Sequence, residues 1–160
     1  MIDFKGDLKA TAVSSLREEV SAILDVVTPE DEVVVRLDNH GGLVHEHGLA
    51  ASQLIRLRDR DIPLTVVVDK VAASGGYMMA CVADRLIAAP FSIIGSIGVI
   101  SAGFGLDQFI ERYGIERRVH TAGKSKSMLD PFRPEKEEDV ERLNRLLEQL
   151  HGTFIGHVKD

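Results

Sequence analysis

Residues 32–37 (EVVVRL) and 63–68 (PLTVVV) are runs of β-branched and aliphatic side chains. They are too short for core helices, and too continuously apolar for strands with one face in water. Between them, residues 43–60 place Leu49, Ser52, Leu54, Ile55 and Leu57 on the inner side of a helix. The alternation continues outward. Residues 2–5 form a short strand; Leu8, Val13, Leu16, Val20, Ile23, Leu24 and Val27 then recur at helical spacing, in a helix that ends near Pro29. Residues 77–83 read as a helix, 85–89 as a strand, 106–113 as a short helix stopped by Gly114, and 116–121 as a strand. A long helix over 135–158 carries Val140, Leu143, Leu147, Leu150 and Phe154 on one side. Strands alternating with helices, with near-continuous apolar strand cores, predict an α/β fold with a largely parallel, covered sheet. No fixed-period repeat, low-complexity tract or linker divides the chain, so one domain over residues 1–160 is expected.

Residues 86–106 contain no charge and are long enough to cross a bilayer. Pro90 and the glycines at 95, 98, 103 and 105 would break such a helix repeatedly, so short buried strands joined by glycine turns are expected instead. A net charge of −6 argues against a nucleic-acid footprint, which needs a basic face; with Trp absent, base-stacking platforms are not expected either. Cys81 is the only cysteine, so neither an internal disulfide nor a thiolate zinc site can form. Its apolar surroundings suit a buried, inert thiol. The chain opens directly on a strand without a signal peptide, a start expected equally of a native terminus and of a trimmed piece.

Three segments carry chemistry. In Val68-Asp69-Lys70-Val71-Ala72-Ala73-Ser74-Gly75-Gly76-Tyr77, a strand runs into a hydroxyl at a tight turn and a helix follows. Ser74 then sits at the carboxyl edge of the sheet, where α/β folds bind ligands. The Gly75 amide is suited to stabilising an oxyanion. A serine before Gly-Gly can equally be a simple helix cap. Asp38-Asn39-His40-Gly41-Gly42 is a second strand end with paired glycines. It can aim an amide toward the neighbouring strand's edge, or be a plain turn. Thr121-Ala122-Gly123-Lys124-Ser125-Lys126-Ser127 offers lysines. A lysine acts as a base only when neutral, which needs a pKa drawn from about 10.4 to roughly 7–8 by burial. In a surface loop the same residues are solvated charges. His40, His45 and His47 lie beside Asp38 and Glu46, but His45 and His47 face different directions on a helix, and no metal is expected. His120 is the candidate histidine for a Ser-His-Asp arrangement.

These segments, in this order, resemble the signal-peptide peptidase family, most closely its SohB-like branch. RLDNHGGLVHEHGLAASQLIRLRD resembles the strand–Gly-Gly–helix segment, LTVVVDKVAASGGYMMACVADRLIAAPFSIIGSIGV the nucleophile segment, and TAGKSKSMLDPFRP the base loop. The resemblance implies a Clp-protease/crotonase-like fold of stacked ββα units with a long C-terminal helix. It implies Ser74 as nucleophile and Lys126, rather than Lys124, as base, with Gly75 and a glycine of Gly41-Gly42 at the oxyanion region. Ser96 is expected to orient the amine, and the apolar residues 93–100 to wall a substrate pocket. The implied activity is a serine endopeptidase without a cofactor, cutting membrane-associated peptides such as remnant signal peptides. The implied whole is a homo-oligomeric ring on the bacterial inner membrane, its catalytic domain periplasmic and its anchor outside this chain. The family's usual Ser-Pro-Gly-Gly is here Asn39-His40-Gly41-Gly42, which removes proline's restraint on φ. Two other readings stand beside this one: an inactive ring-forming scaffold of the same fold, and a crotonase-like acyl-CoA enzyme. The latter gives no reason for Ser74 and Lys126.

Overall fold

The computed structural model of the chain describes residues 1–28, 30–123 and 126–159. Pro29, expected at the end of the first helix, and Lys124, the rival of Lys126, lie outside the described residues. The chain groups into two compact units, Met1–Gly98 with the residues from Thr153 onward, and Val99–Gly152.

The first unit is α/β with a parallel sheet. Strands β1 (Ile2–Lys5), β2 (Val33–Asn39), β3 (Leu64–Ala73) and β4 (Arg85–Ala88) lie in that order, and β5 (Ile93–Gly95) also pairs with β3. All pairings are parallel. One edge of β3 takes β2. The other takes β4 against Thr65–Val68 and then β5 against Val71–Ala73. The β2–β3 register slips between Leu37 and Asn39, so that Asn39 pairs with Ala72. Helices α1 (Val13–Val26), α2 (Val44–Arg58) and α3 (Gly75–Ala80) complete the unit.

Alternation along the strands buries Ile2, Phe4, Val35, Leu37, Val66 and Val68 in one cluster with Leu16 and Val20 of α1 and Leu54 and Leu57 of α2. Between them, Asp3, Lys5 and Arg36 are exposed, and Arg36 Nε donates to Asp3 Oδ1 at 2.6 Å. The expected coverage therefore holds for one face of β1 and β2, while the other carries charge.

Two elements depart from expectation. The first helix starts at Val13, not near Leu8. The Asp7 carboxylate accepts the N–H groups of Lys9 and Thr11 at 3.0 Å each, and Ala10 has φ 46°, so a side-chain turn displaces the helix start. No strand forms over 116–121. Val119 is the only aliphatic residue there, which gives a strand little to bury.

The second unit holds α4 (Asp107–Arg112) and most of α5 (Glu137–Lys159). Of the expected inner side of α5, Phe154 is buried, whereas Val140, Leu143, Leu147 and Leu150 are half-buried. Near its end, His157 Nε2 donates to Met78 O of α3 at 2.8 Å. No helix among the described residues is long and apolar enough to cross a membrane. The charge-free stretch 86–106 instead contains β4 residues and β5, but β4 is exposed and β5 exposed to half-buried, not buried as expected.

Candidate active site

β3 ends at Ala73 and α3 begins at Gly75, so Ser74 alone makes the turn. Its backbone sits at φ 52°, ψ −119°, a conformation that costs a residue with a Cβ about 1–3 kcal/mol. Hydrogen bonds hold it there from both sides. Ser74 N–H donates to Gly95 O at 2.8 Å, and Ser74 O accepts from Met78 N–H at 3.0 Å. The sharp strand-to-helix turn presents the half-buried side chain at the carboxyl end of the parallel sheet. The Ser74 hydroxyl makes no hydrogen bond among the described residues and does not cap the helix. The Gly75 and Gly76 amides lie in the first turn, where no helical acceptor exists.

The second glycine segment packs onto this turn. Gly41 has φ +85°, and a Cβ there would stand 2.6 Å from Gly75 N and 2.8 Å from Ser74 Cβ. Only glycine satisfies both conditions. The Gly41 N–H donates to Asn39 Oδ1 at 2.8 Å. The Gly42 N–H has no acceptor among the described residues. Gly42 itself lies against the backbone of Leu8, whose carbonyl accepts Leu43 N–H at 2.9 Å.

Two residues that the sequence left aside are built into this junction. Asn39 and His47 are each 0% exposed. His47 Nδ1 pairs with Leu43 O at 3.0 Å and Nε2 with Asn39 Oδ1 at 3.2 Å, so both ring nitrogens are engaged. His45 is exposed beside Glu46, and no group of three metal-ligating side chains assembles among the described residues. The available signal for Asn39 was an Asn two residues before a glycine, the pattern of an Asx turn.

Ser96 follows Gly95, whose carbonyl holds Ser74 N–H, and both are at positive φ, 58° and 106°. The Ser96 side chain is exposed. In the expected pocket wall, Ile93 and Ile97 are exposed rather than enclosed. Burial pushes the Cys81 thiol up to about 11, which keeps it protonated and unreactive at neutral pH.

Lys126 belongs to the second unit. It is exposed, in a turn where its N–H meets Gly123 O at 3.5 Å. The chain beyond it is anchored within that unit: Asp130 pairs with Arg117 at 3.3 Å, Arg117 lies 5.7 Å from the Phe132 ring centroid, and Leu106 N–H donates to Pro131 O at 2.6 Å. His120 is also exposed.

Residues 56–160 match Peptidase family S49, and residues 1–54 match Peptidase family S49 N-terminal. Among curated proteins, the chain is 47% identical over 154 residues to "Probable protease SohB" of Haemophilus influenzae, covering 96% of this chain and 44% of that protein. It is 48% identical over 160 residues to "Probable protease SohB" of Buchnera aphidicola subsp. Acyrthosiphon pisum, covering 100% of this chain and 48% of that protein. A more distant relative, "Putative signal peptide peptidase SppA" of Enterococcus faecium, is 26% identical over 126 residues, 79% of this chain and 37% of that protein. The chain spans about half the length of the SohB proteins it matches.

Proposed function

The chain belongs to peptidase family S49, and from that premise we propose that it is the catalytic domain of a serine endopeptidase with Ser74 as nucleophile and Lys126 as general base. The observation that carries the reading is the backbone of Ser74. A residue with a Cβ is held at φ 52° where a glycine would relieve the strain, and its hydroxyl is engaged by no other group among the described residues. Strain kept at a strand-to-helix turn is a hallmark of a nucleophile presented for attack.

The chemistry follows from the groups around it. Ser74 Oγ attacks the scissile carbonyl carbon while its proton passes to the neutral amine of Lys126. The carbonyl oxygen becomes an oxyanion, which Gly75 N–H and Gly42 N–H stabilise. The Gly41 N–H is already committed to Asn39, so of the paired glycines Gly42 takes this role. The protonated Lys126 returns its proton to the leaving amine, and water then hydrolyses the Ser74 ester by the reverse sequence. Ser96, next to the carbonyl that holds Ser74, orients the amine of Lys126.

An amine exposed to water stays protonated and cannot act as a base. Lys126 is exposed in this chain, so a further surface has to cover it for catalysis. In our reading a neighbouring copy provides that surface, in a homo-oligomeric ring. The whole protein is attached to the bacterial inner membrane, with this domain in the periplasm. Its substrates are membrane-associated peptides, including remnants of signal peptides. The SppA relative's name, "Putative signal peptide peptidase", supports that substrate class.

A fluorophosphonate probe tests the reading, because it phosphonylates only an activated serine, whose Oγ bonds to phosphorus as fluoride leaves. The expected result is a single adduct on Ser74, absent from Ser74→Ala. A mixture of Ser74→Ala and Lys126→Ala chains that regains peptidase activity would place the two residues on different copies. No adduct on Ser74 in the assembled protein would sink the peptidase reading in favour of a binding module.

A further inference from the structure

Asn39 lies at the end of β2, where the register with β3 slips, and it is buried without contact to solvent. Its Oδ1 accepts the Gly41 N–H at 2.8 Å and pairs with His47 Nε2 at 3.2 Å. Its Nδ2 donates to Met79 Sδ of α3 at 3.4 Å. The backbone oxygen of Asn39 lies so close to the Gly76 α-carbon that a Cβ there would collide with it. His47, in the first turn of α2, reaches back through Nδ1 to Leu43 O. Its ring lies against the Gly75 α-carbon, where a Cβ would likewise collide. Both ring nitrogens are thus within hydrogen-bond reach of an oxygen.

One buried pair thus touches both turns that present the oxyanion amides. Asn39 holds Gly41 and rests on Gly76, and His47 rests on Gly75. Fixing the Gly41 N–H sets the plane of the peptide between residues 40 and 41. Gly41 at φ +85° has no side-chain preference of its own to resist rotation, so this restraint also governs where the next amide, Gly42 N–H, points. A short buried polar network with all its atoms satisfied is stiff, and among the described residues no buried side-chain polar atom lacks a partner.

We propose that Asn39 and His47 are positioning residues of the oxyanion hole, aligning the Gly42 and Gly75 amides on the carbonyl that Ser74 attacks. The proposal rests on the serine-peptidase reading above. Neither residue touches the reacting atoms. They act by holding two backbone segments that would otherwise be free to drift, and a displacement of about 1 Å at such a site can cost about 10²-fold in rate.

The test follows the phosphonylation of Ser74 by a fluorophosphonate in the full-length protein, resolved into the limiting rate constant kinact and the half-saturating concentration KI, with Tm measured alongside. Asn39→Leu removes the acceptor while roughly keeping the shape. It is expected to lower kinact by about 10²-fold and leave KI within about threefold. Asn39→Asp keeps an acceptor for the Gly41 N–H and should stay within about tenfold of the wild-type kinact. Should Asn39→Leu not fold, His47→Gln carries the test. It can still donate to Asn39 but lacks the ring beneath Gly75, and a roughly tenfold loss in kinact is expected. A merely structural role would lower Tm and leave kinact of the folded protein unchanged. That result, with the wild type labelled at Ser74, overturns the positioning role alone. A wild type that takes no label at Ser74 overturns the serine-peptidase reading and this proposal with it.

Discussion

Replacing Ser74 with glycine should remove the proposed nucleophile and make the protein more stable. The Ser74 hydroxyl makes no hydrogen bond among the described residues, so its loss alone has little to break. The Cβ is what the backbone at φ 52°, ψ −119° resists, at about 1–3 kcal/mol. Ser74→Ala keeps that Cβ, whereas Ser74→Gly removes it. Two effects oppose the gain. Glycine is freer in the unfolded chain, by about 0.5–1 kcal/mol. The half-buried Cβ also packs near Gly41, contributing less than the about 0.8 kcal/mol of a fully buried methylene. The middle of these ranges leaves about 1 kcal/mol in favour of glycine over alanine. With an unfolding entropy of about 2.1 cal/mol/K per residue over 160 residues, that is a rise of about 3 °C in Tm. Thermal unfolding of the three proteins, followed by circular dichroism at neutral pH, measures it directly. Ser74→Ala should melt close to wild type, and Ser74→Gly about 3 °C above Ser74→Ala, with neither variant taking the fluorophosphonate. A glycine variant that melts at or below the alanine variant would refute the claim that this turn stores strain.

Lys126→Ala should slow acylation of Ser74 by about 10²-fold or more, while Lys124→Ala leaves it nearly unchanged; the opposite pattern would move the base to the other lysine. Partial burial raises the Cys81 thiol to about 11, so alkylation by iodoacetamide should be slow at neutral pH and rise steadily with pH up to that value; rapid labelling at neutral pH would contradict the raised thiol. The side-chain and backbone hydrogen bonds from Thr11 hold the Asp7 carboxyl below its ordinary 3.8. A depressed folded value adds stability above the unfolded one and loses it as the pH falls through the folded one. Asp7→Asn should therefore melt below wild type at neutral pH, with the gap closing as the pH drops below 3.8, and a gap that persists undiminished in acid would assign the loss to something other than this charge.

The strands over 32–37 and 63–68 were legible because a β-branched apolar run has few other ways to be buried, and β2 and β3 form there. What local pattern missed is that β3 runs on through the polar pair Asp69-Lys70 to Ala73. Past that pair, Ala72 is held by Asn39 of β2 on one side and Val71–Ala73 by β5 on the other, and a local window contains neither strand. The Ser74-Gly75-Gly76 turn was visible in its residue types, but the positive φ of Ser74 was not, since serine has no preference for it. Conversely, a helix start near Leu8 fitted the periodicity and failed, because Asp7 offered the backbone a competing turn. By itself the sequence determined the strands β1 to β4 and the main helices, though not the strand expected over 116–121, and that a serine and paired glycines would stand at strand ends. Tertiary structure alone decided that Gly41 packs on Gly75, that Asn39 takes the Gly41 amide, and that His47 lies against Gly75 and pairs with Asn39. Those contacts depend on where β2, α2 and α3 converge, and the clearance for a Cβ or the reach of a hydrogen bond between distant residues is set by that convergence rather than by any neighbouring residue.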